Sequence, residues 1–281
     1  MSGSVLYDAP GPRTRRIERL ASIALAVVIV AVLAWLVVSL ARRGVLDDRW
    51  EVLTDPPKQQ TASDVWRSLI VVGLGATLRA AVVAAPLALV LALVLAVLRT
   101  SRFAIVRRPA VVVIEVLRGM PVLLMMFFGL LGFGLSSFEA VVFGLTLYNA
   151  AIIAEILRAG LIALPHGQVE AGISIGLTRG QTLRIIELPQ VVQLMLPSLI
   201  SQFVVLLKDS SLGFIVGYGE LLSVMKNNYS FFGDTSRLPL FVVVVGIYLV
   251  VNITLSRIAV YTQRRLSSRI ATPVDDLTVV R

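Results

Sequence analysis

The sequence predicts an all-α integral membrane protein of six transmembrane helices, with a helix-turn-helix on its cytoplasmic side. Three observations lead there. Apolar residues make up 57% of the 281-residue chain and Asp, Glu, Lys and Arg only 15%, too few charges to cover a soluble domain of that length. The apolar residues gather in runs near the length that crosses a bilayer as helix, roughly 20 residues. Between two of those runs stands QVEAGISIGLTRGQTLRIIELPQ (168–190), charged and punctuated by glycine and proline.

Composition also excludes several functions. The net charge of +9 would suit nucleic acid, but the basic residues stand at segment ends and form no stripe or patch. There is no cysteine, hence no disulfide or thiolate chemistry, and His166 is the single histidine, so no multi-histidine metal site can form. No G-x-x-x-x-G-K-[ST] stretch occurs, so the chain has no phosphate loop for ATP. G-x-S-x-G and H-E-x-x-H are missing as well, which leaves a membrane-embedded hydrolase without support.

Residues 1–19 form a basic tail containing Pro and Gly. Residues 20–41 carry a charge-free run and read as an additional N-terminal transmembrane helix. A cleaved signal peptide is the competing reading, but its apolar region is usually shorter and ends at a small-residue site. Residues 42–64 mix both charges around Pro56-Pro57 and read as an extracytoplasmic loop. The second span, 65–98, contains Arg79 and exceeds the bilayer thickness, which calls for tilt. A third span starts near Val111, passes Pro121 as a kink and fades in GLLGFGLSSF. The fourth, fifth and sixth cover about 138–164, 191–207 and 238–261. The glycine-broken stretch between the last two, with Glu220 and Lys226, reads as an outer helix near the mouth. Residues 263–281 form a second tail. Most of the 26 Lys and Arg fall inside when both termini are cytoplasmic, as the positive-inside rule requires.

That topology puts 165–188 in the cytoplasm. Residues 168–175 form a short amphipathic helix with Val169, Ile173 and Gly176 on one side. Gly176 suits a helix C-terminal turn. Thr178-Arg179-Gly180-Gln181 has the form of a capping box and opens a second helix to about Leu188, with Leu183, Ile186 and Leu188 apolar. Pro189 then sets up the next span. A solvated loop is the plain alternative, but plain connections are shorter. A capped helix pair carrying an exposed acid makes a docking knob.

The spacing Glu170-Ala171-Gly172, three residues, Gly176, nine residues, Ile186, one residue, Leu188-Pro189 resembles the EAA loop of ABC-importer permeases, with Gly172 in place of the second alanine. EVLRGMPVLL (115–124), YNAAIIAEILRAGLIALPHGQVEAG (148–172) and LLKDSSL (206–212) are similar to segments of polar amino-acid permeases, Met120 standing where that family has Thr. The resemblance covers 65–262, and the N-terminal segment resembles actinobacterial glutamate-uptake permeases. It implies a type I importer in a bacterial plasma membrane: a five-helix core plus the N-terminal helix, paired with a second permease subunit, a heterodimer favoured. An ABC ATPase dimer beneath would bind the ATP and Mg, leaving this chain without cofactor or catalysis. An extracytoplasmic amino-acid-binding lipoprotein would deliver substrate, glutamate or a related acidic amino acid. Glu170, Ala171, Gly172, Gly176, Leu177 and Arg179 would meet the motor.

Ionisable groups at membrane depth are costly and mark partners or paths. Arg79, Asn149, Glu155, Arg158, Lys208 and Asp209 are the candidates for the substrate path. Arg79 has no carboxylate within a turn and suits a substrate carboxylate, with Asn149 or Glu155 for the α-amino group. Glu155–Arg158 also reads as a paired strut, Lys208–Asp209 as a helix-end pair, and Glu115–Arg118 as structural. Small-residue pairs (Ala80/Ala84, Ala81/Ala85, Gly129/Gly132) permit close helix approach. Two readings remain beside the acidic amino-acid permease. One is a permease for another polar or basic amino acid; the other is an ion-coupled secondary transporter with Glu155 as its ion site.

Overall fold

The computed structural model describes residues 12–42, 44 and 48–267, and these are helical almost throughout. α1 (Pro12–Arg42) is an apolar helix whose most hydrophobic window has no buried residue. None of its described residues is buried, as expected of a lipid-facing helix. α2 (Ala62–Arg99) and α5 (Ser137–Ala163) are the central pair. Ala80, Ala84, Ala88, Ala92 and Ala96 recur every fourth residue of α2 and are all fully buried. That row of methyl groups lets the two backbones approach closely. The sequence reading noted only its first pair.

The expected third span is not one helix. α3 (Ala104–Gly119) and α4 (Val122–Gly132) meet at 104°, a break rather than a kink. Met120 is extended (φ −92°, ψ 132°) directly before Pro121, the conformation that proline imposes on its predecessor. α4 then runs antiparallel to α5. A Cβ on Gly144 would lie 2.5 Å from Met126 Cγ, and one on Gly129 3.0 Å from Phe143 Cδ1, so glycine alone permits this approach.

α6 (His166–Ser174) is the first helix of the pair expected between the fourth and fifth spans. α7 (Arg179–Phe214) is both its second helix and the fifth span. The sequence reading separated these at Pro189, and the structure corrects it. The helix widens over Leu183–Glu187, where the Leu188 amide reaches back five residues to the Leu183 carbonyl. A widened turn accommodates the donor that Pro189 lacks, so the axis continues. α8 (Leu221–Phe232) is the short outer helix, and α9 (Arg237–Ser267) the last span. Residues 1–11 and 268–281, which hold most of both tails, lie outside the described residues.

Candidate functional sites: the helical hairpin and the charged residues of the long helices

The hairpin between α5 and α7 is locked by backbone chemistry. Gly176 lies at φ +87°, and its amide and that of Leu177 bond back to the carbonyls of Ile173 and Gly172. This pairing closes a helix on a left-handed glycine. Thr178 Oγ1 accepts from the Gln181 amide while Gln181 Oε1 accepts from the Thr178 amide at 2.8 Å, the reciprocal cap expected from sequence. Arg179 is held by the buried Glu187 through a 2.6 Å ion pair. Gln190 donates to Gln168 at 3.1 Å, tying the base.

Gly172 is the buried contact of α6 with α7. A Cβ there would fall 2.7 Å from Thr182 Cγ2 and 2.9 Å from Ile186 Cδ1, which accounts for glycine at this position. The inward side of α6 is therefore Gly172 with half-buried Val169; Ile173, expected inward, is exposed, as is Ile175. Glu170 and Ala171 are exposed beside them and Leu177 is half-buried. The first half of the hairpin thus presents Glu170, Ile173 and Ile175, and the second half adds exposed Ile185.

The charges at the inner ends of the helices form a chain. Arg99, closing α2, pairs with Glu155 of α5 at 2.7 Å and reaches Glu115 of α3 at 3.8 Å. Glu155 also takes Arg158 at 2.5 Å, and Glu115 takes Arg118 at 2.8 Å. Three helices are joined here, and Arg99 is the partner that sequence inspection missed, because it lies 56 residues from Glu155.

Asn149 is fully buried, donating to the Leu145 carbonyl and accepting from Gln202 at 2.8 Å. Arg79 is exposed, with its guanidinium 4.7 Å from the centre of the Phe138 ring, a cation–π contact from the neighbouring central helix. Asp209 is half-buried. Lys208 lines a groove of about 740 Å³ between α7 and α9, with Val204 opposite Asn252, Ser256, Arg257 and Tyr261. Arg257 is a second cation lining the same groove. Asn252 Oδ1 is a buried acceptor without a hydrogen-bond partner. None of the α9 residues was singled out in the sequence, since Asn252 and Arg257 belong to an apolar run and its basic end.

At the outer side Glu220 is wholly buried and caps α8, accepting from the Leu222 and Ser223 amides at 2.9 and 3.1 Å and from the Tyr248 hydroxyl at 3.0 Å. Burial pushes its carboxyl above the ordinary range, although these donors pull the other way.

Residues 58–268 match the sequence profile of the binding-protein-dependent transport system inner membrane component. The chain belongs to that family. The glutamate transport system permease protein GluD of Corynebacterium glutamicum is 42% identical over 73% of this chain and 77% of its own. The probable glutamine ABC transporter permease protein GlnP of Bacillus subtilis is 32% identical over 75% and 95%. A crystal structure of an amino acid ABC transporter with histidines superposes at a TM-score of 0.65 with 29% identity, covering 73% of this chain and 97% of that one. The permease has the type I ABC importer fold, and it is one component of a larger assembly that includes an ATPase.

Proposed function

We propose that this permease carries glutamate or a related acidic amino acid inward across a bacterial plasma membrane, both termini cytoplasmic, with ATP and Mg held by an ATPase dimer docked beneath the hairpin. A second permease, a heterodimeric partner favoured, completes the path, and an external lipoprotein delivers the substrate. The observation carrying the substrate class is the groove that Lys208 and Arg257 both line. Two cations suit the two carboxylates of an acidic amino acid, and the unpaired Asn252 Oδ1 suits its ammonium group. The relative named as a glutamate permease supports the same class.

Among the residues first marked for the path, Lys208 with neighbouring Asp209 best fits the role, and exposed Arg79 fits the outer approach. Glu155–Arg158 fits a strut and Asn149 an internal clamp, each already satisfied by protein partners. The motor contact is assigned to Glu170, Ala171, Gly176 and Leu177, with Gly172 and Arg179 setting the frame. Uptake by the reconstituted complex tests this reading. Lys208→Gln and Arg257→Gln should each lower glutamate uptake tenfold to about a hundredfold, the loss of one charged hydrogen bond, while leaving ATPase assembly intact. Full glutamate uptake in both variants would overturn the groove assignment.

A further inference from the structure

α3 serves neither the hairpin nor the groove, and its surface is unlike that of the spanning helices. Ala104 to Glu115 covers about 16 Å of helix. Yet Glu115 returns to within 3.8 Å of Arg99, a residue that precedes the helix by five positions. With the 104° turn into α4, which climbs beside α5, the α3 axis runs across the direction of the spanning helices. Its level is that of the Arg99–Glu155 ion pair, at the inner ends of α2 and α5.

Three sides of α3 differ in character. Ala110 and Ile114 are buried in the protein. Ile105, Val112 and Val116 share a second stripe at helical spacing and are open, with Ile105 85% and Val112 60% exposed. Arg108 borders that stripe, with Arg107 and Arg118 further round and Arg102 just before the helix. Glu115, the acid among them, is neutralised by Arg99 and Arg118. Among the described residues Arg102, Arg107 and Arg108 form no ion pair.

An apolar stripe beside uncompensated arginines, laid along the membrane boundary, matches an interfacial helix. Guanidinium groups bind phosphate through paired donors. We infer that α3 lies in the inner membrane interface and binds the phosphate headgroups of anionic lipids through Arg102, Arg107 and Arg108, with Ile105, Val112 and Val116 in the acyl layer. The site concerns lipid and is independent of which amino acid is carried.

The chain has no cysteine, so Val112→Cys gives it a single labelling site, and the chain is labelled before it is assembled into the transporter. In nanodiscs the label should be quenched by brominated phosphatidylglycerol at a mole fraction roughly fivefold lower than by brominated phosphatidylcholine, about the factor one basic residue gives near an anionic surface. Adding Arg102→Gln, Arg107→Gln and Arg108→Gln should equalise the two lipids while quenching by each persists, which reports that the helix is still seated. The three lysine replacements should keep the preference. Equal quenching by both lipids in the otherwise unaltered chain overturns the headgroup assignment. Quenching by aqueous iodide instead, or by nothing, means that the face is wet or covered by a second permease or the ATPase, and overturns the proposal.

Discussion

Gly172 has a steric reason. Where the family resemblance leads one to expect alanine, this chain places Thr182 and Ile186 so close that a methyl group would overlap them. Gly172→Ala should therefore loosen the hairpin by about 1–3 kcal/mol, the usual cost of overpacking, visible as faster amide exchange over residues 168–190. Ile186→Val in the same chain should recover part of it. Glu220 is the outer counterpart. Glu220→Ala would leave two amides of α8 without their cap, costing about 1–3 kcal/mol per unmet group, measurable as a lower melting temperature in detergent. The turn chemistry of the hairpin was legible in the sequence: Gly176 as a left-handed turn, Thr178 and Gln181 as a mutual cap. Their neighbours were not, because Arg179–Glu187, Arg99–Glu155 and Asn149–Gln202 depend on which helices the fold brings together.

Helix positions were readable wherever an apolar run could be bounded by charge, and the second, fourth and sixth spans fall close to where hydropathy puts them. The third failed for a physical reason. Pro121 removes one donor and constrains Met120, but whether a helix then bends slightly or turns by 104° depends on what its two halves pack against. Here α4 is drawn against α5 by Gly129 and Gly144. Gly144→Ala, whose Cβ would lie 2.9 Å from the Met126 backbone nitrogen, should destabilise the protein by about 1–3 kcal/mol, read in a thermal unfolding assay. Pro189 is the opposite case, since a widened turn absorbs it and α7 runs from the hairpin into the membrane. That continuity gives the hairpin a rigid lever. The α7 half of the hairpin is continuous with the segment that carries Lys208, and α6 bears on it through Gly172.

At the scale of the whole molecule, α7 joins the capped hairpin to the groove that Lys208 and Arg257 line. Arg99 bridges Glu155 and Glu115 and so fastens α2, α5 and α3 together. A secondary transporter would use Glu155 as an ion site, but here that carboxylate is held by Arg99 and Arg158, which favours a motor-driven cycle. The direct measurement is ATP hydrolysis by the complex reconstituted with its ATPase, partner permease and binding protein, with glutamate and arginine offered in parallel, for the unaltered chain and for Glu170→Ala. Glutamate should stimulate hydrolysis several-fold more than arginine does, and Glu170→Ala should abolish that stimulation while the groove variants retain a basal rate. Undiminished stimulation in Glu170→Ala, or failure of any ATPase to associate with the chain, would contradict the account.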